Sequence, residues 1–212
     1  MSRATLIQSL TQRLGLEKLS GMDHLPTTAK VSKTLADWQK EAQQCQNCAL
    51  HKKRQHVVFG EGHPQADLLF VGEGPGAEED RQGRPFVGPA GQLLTKIIKA
   101  IGLNREDVYI ANVVKCRPPN NRPPEPNEAA QCRSYLEAQV RLIQPRVICA
   151  LGRTAATALL NTDRALASLR GTTQNFLDVP VIVTYHPAHL LRHPEAKPAA
   201  WADVQRLIPY VR

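Results

Sequence analysis

Long apolar runs are missing from this sequence: no stretch approaches the roughly 18 consecutive apolar residues that a membrane span requires, so a membrane partner is not expected. The opening segment, MSRATLIQSLTQRLGLEKL, carries polar residues throughout and has neither a continuous apolar core nor a small-residue cleavage site. It is not a signal peptide by that pattern, and a cytoplasmic protein is expected. Aromatic residues are few, 5% against 42% hydrophobic overall, which is ordinary for a globular chain. Cysteines number only five, at positions 45, 48, 116, 132 and 149. Without an export signal, disulfides are disfavoured and metal or catalytic roles gain weight. Acids are in deficit: 19 Asp and Glu against 27 Lys and Arg leave a net charge of +8. That balance favours a polyanionic partner, nucleic acid before membrane, because clustered cations displace counterions condensed on phosphates.

At 212 residues the chain suffices for one α/β domain and a short appendage, and is too short for two domains with separate cores. Leu6, Leu10, Leu14, Leu16 and Leu19 recur at helical spacing before Gly21, Pro26 and a Thr/Ser/Lys mixture. Residues 1–33 therefore read as a helical appendage and linker, and residues 34–212 as the functional domain. A second helical stretch over residues 35–44 leads to the first cysteine pair. Four largely apolar runs follow, at 67–71, 108–114, 147–151 and 179–185. Runs of that kind suit strands covered on both faces. Helical patterns at 91–101, 126–143, 154–160 and 199–208 separate and follow them. The alternation predicts a three-layer α/β/α sandwich around a four-stranded, mainly parallel sheet. Ligands in such sheets bind beyond the carboxyl ends of the strands.

The unusual residues fall at those ends. After the first strand comes GEGPGAEEDRQGRPFVGPAGQLL, residues 72–94, with six glycines and three prolines. About twenty residues without an expected helix is far more than the usual 2–6 of a βα connection. The glycines let backbone approach a ligand and the prolines stiffen the turns. Glu73, Glu78, Glu79 and Asp80 place four acids in this loop of a basic protein. The second strand runs into ANVVKCRPPNNRPP and the fourth into YHPAHLLR.

These three segments, in this order, resemble motifs of the family-four uracil-DNA glycosylases, the iron–sulfur-containing branch of that superfamily. GEGPGxxED with GRPFVGxAG, NxxKCRPPxNRxP and HPxxLLR are the matching patterns, and the likeness covers about residues 40–210. The resemblance implies a monofunctional DNA repair enzyme, a nucleoid-associated monomer acting on uracil-containing DNA. It would flip uracil out of the helix and hydrolyse its N-glycosidic bond, leaving an abasic site. It also implies that Cys45, Cys48, Cys116 and Cys132 hold a [4Fe–4S] cluster, for which thiolates are the ligands. Spacing alone leaves a four-cysteine zinc site open. Cys149, inside RVICALG, reads instead as a small core hydrophobe.

The resemblance also implies roles for individual residues. The transition state resembles an oxocarbenium sugar with a departing uracilate anion, so His186 is expected to donate a hydrogen bond to the uracil 2-carbonyl. Asn112 is expected to read the base, since one amide offers a donor and an acceptor side by side. Phe86 is expected to stack on the flipped base. Gly74 stands at the pocket where some glycosylases carry an Asp, so water activation or sugar stabilisation is assigned first to Glu73 and then to Glu79. Leu190 and Leu191 are expected to wedge into the vacated stack while Arg192 holds phosphate. Lys115, Arg117, Arg122 and Arg84 are expected to track the DNA backbone. Two other readings compete. A non-catalytic nucleic-acid-binding protein with a cysteine-bound metal accounts for charge and cysteines but not for GEGPG, Phe86 or HPAHLLR. A covalent uracil-DNA trap requires a histidine in the loop after Cys116, and RPPNNRPPEPNEAAQC has none.

Overall fold

The computed structural model describes residues 33–211. The appendage read over residues 1–33 therefore lies, but for Lys33, outside the described residues. The described chain forms one compact unit.

The expected α/β alternation is present, but the sheet has six strands where four were expected. They are β1 (Glu61–Gly62), β2 (Leu68–Gly72), β3 (Tyr109–Asn112), β4 (Val147–Leu151), β5 (Thr173–Phe176) and β6 (Val179–Thr184). Their order across the sheet is β1-β3-β2-β4-β6-β5. The four anticipated strands are parallel neighbours. The additions are antiparallel edges, β1 on β3 and β5 on β6. Neither has an apolar signature: β1 is two residues long, and TQNF of β5 is largely exposed. The hairpin signal is also absent, because Leu177 and Asp178 occupy the tight turn with φ of 50° and 65°, a geometry usually announced by Asn-Gly or Asp-Gly.

The helices are α1 (Leu35–Gln44), α2 (Ala77–Gln82), α3 (Pro89–Ala100), α4 (Pro126–Ile143), α5 (Gly152–Leu160), α6 (Leu166–Leu169), α7 (Pro187–Arg192) and α8 (Lys197–Gln205). Thr34 and Asp37 form a reciprocal capping box that starts α1, which satisfies two backbone N–H groups at once. Strand side chains alternate between faces. Leu69 and Val71 join one core with Tyr135 and Leu136 of α4 and Ala155 of α5. Leu68 and Phe70 join the other with Leu94 and Ile98 of α3 and Val204 of α8. Helices thus cover both faces. From β2 the chain turns to one side for β3 and later to the other for β4 and β6. The crevice at such a reversal is where a ligand is expected.

Candidate active site and cysteine site

A cavity of about 440 Å³ opens at that crevice, and Glu73, Gly74, Glu79, Phe86, Asn112 and His186 all line it. Arg192 stands there too. Sheet register produces much of this gathering: Gly72, the last residue of β2, pairs with Asn112, the last of β3. Val113 N and Val114 N then donate to the carbonyls of Gly72 and Glu73, at 2.9 and 3.2 Å. The two loops therefore leave the sheet side by side.

Asn112 is 1% exposed, and its Oδ1 has no hydrogen-bond partner among the described residues. A buried acceptor left unpaired costs about 1–3 kcal/mol. In a cavity wall, that orphan marks where a donor from a ligand belongs. Gly72 makes the arrangement possible, since a Cβ there would stand 2.5 Å from Asn112 Oδ1 and 2.5 Å from Phe86 Cζ. Overpacking of this sort costs about 1–3 kcal/mol, and either neighbour must move to relieve it. Gly72→Ala is expected to reduce base excision about tenfold by single-turnover kinetics and to lower the thermal midpoint by about 2–4 °C for each kcal/mol of overpacking.

Phe86 adopts a left-handed backbone, φ 51°, and is only 6% exposed. Its ring centre lies 5.7 Å from that of His186, tilted by 35°. Glu79 belongs to α2, a helix inside the loop that was read as irregular; its Oε1 accepts from Val87 N and Gly88 N, both at 2.8 Å. It thereby pins the loop that carries Phe86. Glu73 instead accepts from Thr154 Oγ1, on the first turn of α5. Thr154 was not anticipated as a partner of the site, although it sits just past a strand end where the topology rule would have sought one. Gly74 also acquires a physical reason: a Cβ there would lie 2.8 Å from Val114 Cγ2, so an acid cannot simply be placed at that position.

His186 caps α7, and its Nδ1 accepts from Ala188 N at 3.1 Å. A neutral ring accepting at Nδ1 carries its proton on Nε2. Burial pushes the imidazole down to about 4, helped by the Arg192 charge and opposed by Glu79. At neutral pH the group is therefore an uncharged Nε2–H donor. Gly152, at φ +86°, gives it room, because a Cβ there would stand 2.9 Å from His186 Cβ.

Two of the expected DNA contacts, Leu190 and Lys115, are buried and need correction, while Arg84, Arg117 and Arg122 are held by neighbours. Leu190 is 2% exposed and turned inward, whereas Leu191 is 46% exposed; of the two, only Leu191 is available at the surface. Lys115 is buried and donates to Asn112 O and Gln139 Oε1 at 2.8 and 2.6 Å, so it does not follow a DNA backbone. Arg84 is paired bidentately with Glu61 and Arg122 with Glu128. Arg117 Nε is held by Asn121 Oδ1 at 2.8 Å.

Cys45, Cys48, Cys116 and Cys132 line a single smaller cavity, together with Arg54, Lys115 and Tyr135. None is in a disulfide. Arg54 Nη1 donates to Cys116 Sγ at 3.2 Å and to Cys45 O at 2.8 Å; Lys115 N donates to Cys132 Sγ at 3.3 Å. Burial pushes the Cys132 thiol up to about 11, with the Lys115 charge acting against it. Among the described residues, no three His, Cys, Asp or Glu side chains are gathered as a single metal ion would need. Cys149 lies elsewhere, fully buried in β4, where burial raises its thiol strongly.

Comparison with known proteins accords with this geometry. The profile of the Uracil DNA glycosylase superfamily matches residues 59–205. The chain is 49% identical to the type-4 uracil-DNA glycosylase of Thermotoga maritima over 73% of this chain and 81% of that one. It is 43% identical to the type-4 enzyme of Archaeoglobus fulgidus over 82% and 92% of the two chains. A type-5 uracil-DNA glycosylase of Pyrobaculum aerophilum is 35% identical over 61% and 64%. With the cavity at the switch point, the orphaned amide of Asn112 and the neutral His186 beside it, these matches place the chain in the uracil-DNA glycosylase superfamily, among the type-4 uracil-DNA glycosylases.

Proposed function

We infer that this chain excises uracil from DNA in repair, hydrolysing the N-glycosidic bond and leaving an abasic site. The observation that carries the reading is the unpaired Oδ1 of Asn112 within a cavity that also holds His186. Uracil's ring N–H fits that acceptor and its 4-carbonyl the adjacent amide N–H; cytosine presents the reverse pattern. Phe86 stacks on the flipped base. His186 Nε2–H meets the 2-carbonyl as negative charge develops there, the preorganised donor that such a transition state needs. Glu73, held by Thr154, positions water or stabilises the sugar cation, whereas Glu79 is engaged in fixing the loop. Leu191 fills the vacated stack, and Arg192 holds phosphate beside it. A labelled oligonucleotide bearing one uracil tests the whole reading: strand cleavage after alkali is expected, and none from metal-replete protein would refute it.

The four cysteines suit a [4Fe–4S] cluster by their donor chemistry. None is paired in a disulfide, all are at least partly buried, and two of the sulfurs accept N–H bonds from Arg54 and Lys115. A four-cysteine zinc site would use the same donors, with all four sulfurs about 2.3 Å from one point. The group would supply a cross-link between the segment before the sheet, the loop after β3 and helix α4. Cys45→Ser is expected to lose bound metal and lower the thermal midpoint. Iron analysis with a visible spectrum checks it: broad absorbance with iron is expected, and stoichiometric zinc in colourless protein would overturn the cluster.

A further inference from the structure

Phe86 presents a problem that the catalytic residues do not solve. A left-handed backbone is unfavourable for a residue with a side chain, and Phe86 has φ 51°. Its carbonyl is also closely confined, since a Cβ on Gly91 would stand 1.8 Å from Phe86 O. Such strain persists only where the surroundings enforce it. Glu79 holds the N–H groups that follow Phe86, but the group that holds the carbonyls is a long way off in sequence. Arg105, just before β3, donates from Nη1 to Phe86 O at 3.1 Å and from Nη2 to Pro85 O. One planar guanidinium thus bridges two consecutive carbonyls, which a lysine ammonium cannot reproduce in the same plane.

The burial of this arginine is poorly compensated. Its side chain is 15% exposed, and its nearest carboxylate, Glu61, is 3.8 Å from Nε while pairing bidentately with Arg84. Burial lowers the guanidinium's affinity for its proton, with Glu61 acting in the other direction. A partly buried, weakly paired charge is a poor device for stability. It is a good device for holding two carbonyl oxygens at a fixed place.

We propose that Arg105 is a positioning residue for base binding: its bridge between the Pro85 and Phe86 carbonyls fixes the Phe86 ring as the platform on which uracil stacks. The proposal rests on the stacking role given to Phe86 above. Because the ring would meet the base and not the DNA backbone, loss of the bridge should weaken uracil binding selectively.

The test uses full-length, metal-replete protein with Arg105→Met, Arg105→Lys and Phe86→Ala. Three quantities are measured for each: inhibition of excision by free uracil, affinity for abasic-site DNA, and thermal midpoint. Both Arg105 variants are expected to raise the uracil inhibition constant about tenfold, within the range that base stacking on an aromatic supplies. Affinity for abasic DNA and the thermal midpoint should hold. If Arg105→Met fails to fold, Arg105→Lys decides, because it keeps the charge and loses the bridge. Unchanged uracil inhibition in a folded Arg105 variant, with Phe86→Ala impaired, overturns the positioning role. Equal losses of uracil and abasic-DNA affinity with a lower midpoint make Arg105 merely structural and overturn it too. Unchanged inhibition in Phe86→Ala removes the stacking reading, and the proposal with it.

Discussion

His186→Ala is expected to slow single-turnover excision of uracil by about 10²–10³-fold, the usual effect of deleting one preorganised donor at a developing oxyanion. Affinity for uracil-containing DNA should change little, because the hydrogen bond strengthens only as the glycosidic bond breaks. Near-normal turnover would remove His186 from the chemistry. The same residue makes a second expectation about pH. With its folded value pushed down to about 4, it stays neutral through the ordinary working range, and it should contribute no step in rate near pH 6.5, the value for an unperturbed histidine. Between those limits the unfolded chain takes up a proton that the folded protein does not. Stability from this group is therefore full above pH 6.5 and is lost as pH falls toward 4, by about 3 kcal/mol at most. Denaturant titrations of wild type and His186→Ala between pH 7 and pH 4.5 measure it, and the variant should lack that share of the slope.

Much of this site was legible because the sequence placed its unusual residues at strand ends. The apolar runs at 147–151 and the helix at 126–143 coincide with β4 and α4, since their signals are local: a buried run in one case, a long helical period in the other. Glu73, Phe86, Asn112 and His186 then meet because parallel register brings the ends of β2, β3 and β6 together. What was not legible depends on contacts between distant side chains. Lys115 reads as an exposed cation beside a cysteine and is in fact buried against Gln139, which no local pattern reveals. Leu190 and Leu191 are adjacent and chemically identical, yet the roughly quarter-turn step between neighbours on a short helix buries the first and exposes the second. The edge strands escaped because their pairing is provided by β3 and β6 and not by any apolar alternation of their own.

Asn112→Leu should separate function from stability. The unpaired Oδ1 costs the folded protein about 1–3 kcal/mol, and a leucine of similar shape removes that cost without removing the packing. The thermal midpoint is therefore expected to rise by about 2–4 °C for each kcal/mol recovered. Excision should move the other way. In the variant the uracil ring N–H and 4-carbonyl both enter the cavity without partners, each at about 1–3 kcal/mol, so excision is expected to fall by about 10²–10⁴-fold. A merely structural asparagine gives a different pattern: loss of midpoint and loss of activity together, or neither. The opposed signs follow from one fact, that a buried carbonyl oxygen in a residue lining the cavity has no hydrogen-bond partner among the described residues. On the proposed reading, the base that meets this oxygen is the one carrying N–H where Asn112 offers an acceptor. Cytosine, with an acceptor at that atom, would leave the bond unmet and add a repulsion. On that reading, selectivity against the commonest related base rests on a group whose isolated presence is unfavourable, which is why stability and discrimination should change in opposite directions on its removal.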